Sequence, residues 1–153
     1  MSHFFGHHQN RLDAKRRMSV PAPFRAALRA DVETISLILR PSHLNDWHFV
    51  EAWPKPAYAE LECKLEQYEH FSAEREALAT VIYTGAAPVE TDREGRIMIP
   101  EDLATFANLK EGGPVSIMGR GSIFYIWEPH AAVQFIEWTR QQAALLRQTA
   151  LRP

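Results

Sequence analysis

Apolar positions in this chain come in short alternating runs broken by turn residues, and in two places they give way to stripes with the helical period. Met18–Val20 and Ile97–Ile99 are short strand candidates, rich in β-branched and long apolar side chains. Each is closed by a proline, which cannot donate to a strand ladder but suits the first turn of a helix. Helices are therefore expected near residues 22–30 and 101–108, the second favoured by Glu101 and Asp102 at its positive end. Two further strand runs follow each helix: ISLILRP and WHFVEAWP in the first half, VSIMG and SIFYIWEP in the second, the latter pair joined by a tight GRG turn. Helical stripes come next. Tyr58, Leu61, Leu65 and Tyr68 form one, while Phe135, Trp138 and Leu145 form another that Gln142 interrupts; both are expected to face a core. A short helix over residues 74–83 should lead into the second half, and a long one over about 130–150 should close the chain. The outer face of this last helix is a candidate contact with a neighbouring subunit.

The two series are copies of one pattern. LDAKRRMSVP at residues 12–21 returns as TDREGRIMIP at 91–100, so that Asp13, Arg17, Val20 and Pro21 match Asp92, Arg96, Ile99 and Pro100. The shared signature is Asp-x-x-x-Arg followed by apolar-x-apolar-Pro. Aspartate starts a turn by accepting from its own backbone, and Gly95 supplies the left-handed conformation within it. The chain thus reads as α+β, a duplicated strand–helix–hairpin–helix unit. Residues 1–83 hold the first repeat and 84–153 the second, with both halves forming one compact domain. One such unit cannot bury its own apolar face, and two complete each other.

Charge is distributed unevenly between the copies. Overall the chain of 153 residues carries a formal charge of −2. Residues 10–29, however, hold six basic side chains (Arg11, Lys15, Arg16, Arg17, Arg25, Arg29) against Asp13, a net of +5. The equivalent residues 89–108 hold Arg93 and Arg96 against five acids, a net of −3. A turn carrying Lys15, Arg16 and Arg17 suits DNA, because such groups neutralise phosphates and an arginine fork can grip guanine O6 and N7 together. Asp13 is expected to form the turn and brace the arginine. Arg96, set among acids, is expected to pair with Asp92 or support a subunit contact, with DNA contact as its lesser role.

Other chemistry is weakly signalled. The sequence holds no GxSxG elbow, GxxxxGK[ST] loop, HExxH or dinucleotide fingerprint, so no enzyme, cofactor or small-molecule substrate is expected. His3, His7 and His8 lie in a segment that reads as frayed and lacks carboxylate or cysteine at ligand spacing, so no metal is expected either. Cys63, the single cysteine, excludes an internal disulfide and reads as a helix packing residue. No apolar run approaches membrane-spanning length and no secretory signal is evident, which makes the cytoplasm the expected compartment.

With LDAKRRMSVPAPFR and TDREGRIMIPEDL both in view, the chain resembles the MraZ family of bacterial transcriptional regulators, related to the AbrB group of swapped-hairpin factors. GAAPVETDREGRIMIPEDL and the later IWEP are similar to that family's second repeat. The resemblance implies a double-split β-barrel per chain and homo-oligomeric rings. It also implies binding of tandem boxes in double-stranded DNA upstream of the division and cell wall gene cluster, and association with the nucleoid. One position departs from the family pattern: Arg16 stands where a glycine is usual, as at Gly95. A positive φ there would cost arginine on the order of 1 kcal/mol, so a different shape is expected for the first turn. Against the regulator stands a second reading, an oligomeric adaptor or antitoxin-like module without sequence-specific DNA binding.

Overall fold

The computed structural model describes residues 3–28 and 34–149. Among the described residues, eight strands and five α-helices follow one another along the chain. The first copy contributes β1 (His7–Arg11), β2 (Arg17–Ser19), α1 (Ala22–Ala27), β3 (Ser36–Leu44) and β4 (Trp47–Pro54), followed by α2 (Lys55–Cys63) and α3 (Ala73–Ala79). The second contributes β5 (Ala87–Glu90), β6 (Arg96–Met98), α4 (Glu101–Phe106), β7 (Pro114–Gly119), β8 (Phe124–Trp127) and α5 (Pro129–Thr149). As expected from their prolines, α1, α2 and α4 each begin directly behind one.

The strands interleave. All pairings are antiparallel, and the large sheet runs β1-β7-β8-β4-β3-β5, while β2 and β6 form a separate ribbon. Exchanging each strand for its counterpart in the other copy returns the same order read backwards. The first strand of each copy pairs with the hairpin of the other. Both contacts between equivalent strands centre on equivalent residues, Met18 opposite Ile97 in the ribbon and Glu51 opposite Tyr125 in the sheet. A pseudo-two-fold axis therefore runs through these two pairs. Two strand–helix–hairpin units bury their faces against each other around it.

The main core lies between the inner face of the sheet and the layer made by the ribbon, α1 and α4. Leu37, Leu39, Val50, Ala52, Ile117, Phe124 and Ile126 meet Phe4, Met18, Phe24, Ile97 and Leu103, all buried. On the outer face α5 covers Phe49, Met118 and Trp127 with Ala132 and Phe135. Ile38 and Trp53 are covered instead by Tyr58, Leu65 and Ile82. Between these clusters Glu51 lies buried, accepting from Trp53 Nε1 at 2.9 Å and facing Arg40 Nε at 3.2 Å.

Several expectations are corrected. From residue 3 onward the N-terminal segment is not frayed: Phe4 is buried, and His7 and His8 lie in β1, paired with Met118 and Ile117. Helix α1 ends at Ala27, with Leu28 in a turn; residues 29 and 30 of the expected helix lie outside the described residues. Helix α2 stops at Cys63 and tightens into a 3₁₀ turn over Lys64–Gln67, so Tyr68 falls off the stripe and is exposed. Cys63 is exposed and packs no core. In α5 Phe135 is buried, but Leu145 is 57% exposed. From residue 140 to 148 the helix is exposed on every side. The short helix over 74–83 appears as α3 continued by one π turn, Thr80–Thr84.

Candidate nucleic-acid interface

The ribbon positions the motif residues. Alternation sends Met18 and Ile97 into the core and turns Arg17, Ser19, Arg96 and Met98 outward. Because Arg17 pairs with Met98 and Ser19 with Arg96, the two arginines lie diagonally across one small outward face. A two-stranded ribbon of this kind is narrow enough to enter the major groove, which is about 12 Å wide.

Each arginine is braced by the aspartate of its own turn. Asp13 Oδ1 accepts from the backbone amides of Lys15 at 2.8 Å and Arg17 at 2.9 Å, while Oδ2 accepts from Arg17 Nε at 2.6 Å. Asp92 repeats the arrangement with the amides of Glu94 and Arg96 and with Arg96 Nε, each at 2.9 Å. The Arg17 amide, joined by the Arg17 side chain and the Lys15 amide, holds the Asp13 carboxyl down at about 2 against its ordinary 3.8. Asp92 is lowered in the same way, first by the Arg96 amide. Arg96 is raised, chiefly by its bond to Asp92. The expected pairing of Arg96 with Asp92 is thus present. Arg96 also reaches Glu94 at 3.4 Å and stands 4.0 Å from Asp13 Oδ2, so the two motifs meet in one charged cluster.

Contrary to expectation, the first turn has the same shape as the second. Arg16 takes φ 60° where Gly95 takes 76°. In each turn the aspartate carbonyl accepts from that residue's amide at 3.0 Å, and the aspartate amide donates to the motif arginine's carbonyl. Across the axis Val20 donates to the Gly95 carbonyl at 3.0 Å and Ile99 to the Arg16 carbonyl at 2.9 Å. The Arg16 side chain is itself tied down, Nε donating to the Ile99 carbonyl and Nη1 to Glu111, both at 3.0 Å. Lys15 is exposed beside it. Arg11 donates to the Gly112 carbonyl at 2.6 Å, fastening β1 to the loop ahead of β7.

Two partners escaped sequence reasoning. Arg25 of α1 crosses to the second turn and lies over Gly95. Its Nε is buried without a hydrogen-bond partner. Glu111 joins the first turn from 95 residues further along the chain. Arg25 was visible only as one member of the basic block, and nothing in the sequence marks Glu111. Among the described residues no three histidine, cysteine or acidic side chains come together as a metal site, and no helix is long and apolar enough to cross a membrane.

A family model described as "MraZ protein, putative antitoxin-like" matches residues 82–150. The Gluconobacter oxydans protein called transcriptional regulator MraZ is 45% identical, the alignment covering 100% of this chain and 92% of that one. The transcriptional regulator MraZ of Gluconacetobacter diazotrophicus is 48% identical over 86% of this chain and 82% of its own. A solution structure of PHS018 from Pyrococcus horikoshii is similar with a TM-score of 0.40 and 11% identity, over 77% of this chain and 91% of that one. With two braced Asp-x-x-x-Arg turns on one ribbon and relatives this similar over 86–100% of its length, the chain belongs to the MraZ family.

Proposed function

We propose that this chain is a sequence-specific DNA-binding transcriptional regulator that works from the cytoplasm on the nucleoid. It binds as a homo-oligomeric ring to tandem boxes upstream of the division and cell wall gene cluster and regulates that operon. Residues 1–83 and 84–153 act as the two repeats of one binding domain. The observation that carries this reading is the outward face of the β2–β6 ribbon, where Arg17 and Arg96 lie diagonally across from each other, each held by an aspartate. A brace of this kind fixes the guanidinium before DNA arrives, so little side-chain freedom is lost on binding. Arg17 reads base edges, Lys15 and Arg11 neutralise phosphates, and Arg96 adds a second, weaker contact. Asp13 forms and stiffens the turn without meeting the nucleic acid, since a carboxylate near phosphate is repelled.

Oligomerisation fits the same surface logic. From residue 140 to 148 α5 is exposed all round and carries Leu145 and Leu146, at 57% and 53% exposure, a composition suited to burial against another copy. A ring then presents several ribbons at once to evenly spaced boxes. Selection of bound fragments from random DNA, followed by gel-shift titration of the selected box against a scrambled duplex, tests the proposal. A recurring box bound at least tenfold more tightly than the scrambled sequence is expected. Equal affinity for both would favour the adaptor or antitoxin-like reading instead.

A further inference from the structure

We infer that Arg16 is a positioning residue, a strut that holds Lys15 and Arg17 in their presentation and does not itself touch the nucleic acid. The inference rests on the DNA-binding reading above. Arg16 occupies a left-handed backbone position, φ 60°, which glycine takes without strain and an L side chain does not. Gly95 holds the same turn in the second copy with no side chain at all. Where a side chain is present, something must over-determine the strained conformation, and here three bonds do so. The Arg16 carbonyl accepts from Ile99, its Nε donates back to the Ile99 carbonyl, and its Nη1 donates to Glu111.

Those bonds also consume what a contact would need. Bidentate recognition of guanine or phosphate uses two parallel N–H groups of the fork. In Arg16 the Nε and Nη1 groups are already engaged, and the carboxylate of Glu111 beside them repels phosphate. Only 22% of the Arg16 side chain is exposed, whereas Arg17 shows 33% and Lys15 lies open to solvent.

The pseudo-two-fold axis gives the strut its counterpart. The space beside Gly95 is filled by Arg25 from α1. The position of α4 equivalent to Arg25 is Ala104, which is buried and small. Each turn is thus backed by one arginine at the junction with the other copy's helix. In the second turn the helix supplies it, and in the first the turn does.

Anisotropy titrations of the full chain with the selected box and with a scrambled duplex, over a salt series, test this. Arg16→Gly should keep the slope of affinity against salt and most of the preference for the box, because glycine needs no strut. Arg16→Ala, Arg16→Lys and Glu111→Gln should also keep the slope but lower the preference about three- to tenfold, since each leaves a strained turn without its full anchorage. A slope reduced by about one per site in Arg16→Gly and restored in Arg16→Lys would make Arg16 a phosphate contact and overturn the inference. So would tighter binding by Glu111→Gln, or variants that only melt lower with their preference unchanged. Should Arg16→Ala fail to fold, Arg16→Gly and Glu111→Gln decide. A wild type without preference for the box overturns the DNA-binding reading itself, and this inference with it. Loss of slope in Arg16→Gly beside a discriminating wild type overturns this inference alone.

Discussion

Arg25 lies directly over the α-carbon of Gly95: a β-carbon at position 95 would stand 2.6 Å from its Nη1 and 2.7 Å from its Cδ. At either distance the Arg25 side chain would have to shift, and φ 76° adds backbone strain for any side chain. Gly95→Ala should therefore destabilise the protein by about 1–3 kcal/mol. Pairing it with Arg25→Ala should recover the part owed to the collision and leave the part owed to φ. Chemical denaturation of the two single variants and the double variant measures both parts.

Asp13 predicts a pH dependence. Its carboxyl titrates at about 2 in the folded chain and near its ordinary 3.8 when unfolded. A depressed folded value means that the contribution is fully present above the unfolded one, and that it is lost as pH falls from about 4 towards 2. Asp13→Asn should thus be less stable than the wild type at pH 6, and the gap should narrow through that acid window. Urea midpoints at a series of pH values provide the check; a gap independent of pH would remove the carboxylate from the account.

Charge polarity separates the two turns. Lys15 is exposed with no acidic residue beside it in sequence other than Asp13, which its turn already uses, whereas Arg93 lies between Asp92 and Glu94. Lys15→Ala should weaken binding to all duplexes by about threefold to tenfold and reduce the salt slope by about one per site. Arg93→Ala should change both little. Equal sensitivity of the two turns in parallel titrations would contradict the assignment of the first as the main phosphate contact.

The exposed end of α5 leads to a prediction about mass. Light scattering in moderate salt should return several times 17.5 kDa. Replacing Leu145 and Leu146 with serine should shift the distribution to smaller species while the far-ultraviolet spectrum stays unchanged. A wild type that stays monomeric at micromolar concentration would refute the ring.

Elements with strong local chemistry were legible before the structure. The Asp-x-x-x-Arg turns, the proline-started helices and the two apolar hairpins all announce themselves through residues whose backbone preferences are narrow. Strands β1 and β5 did not. HHQNR has no β-branched residue, and it is a strand only because it pairs with β7, a partner more than 100 residues away. Edge pairing of this kind is a tertiary effect with no local signature. The site divides in the same way. Asp13 and Arg17 are four residues apart and were readable as a brace, while the Arg16–Glu111 and Arg25–Gly95 contacts exist only because the two copies interlock. The shape of the first turn is hidden from the sequence for the same reason, since the bonds that hold Arg16 in place come from Ile99 and Glu111.

Arg17 carries the central claim, that braced arginines on the ribbon read the boxes. Losing one bidentate base contact costs about 1–3 kcal/mol at each site. A ring engaging several boxes multiplies that loss, because each further contact is made at high effective concentration. The most direct measurement is the affinity of wild type and Arg17→Ala for duplexes bearing one, two and three boxes at fixed salt, with melting temperature and ring mass as controls. The account predicts a loss of about tenfold or more on one box that grows steeply on two and three, with fold and mass unchanged. Equal losses on one box and on three, or a variant that still prefers the boxes to scrambled DNA, would contradict it.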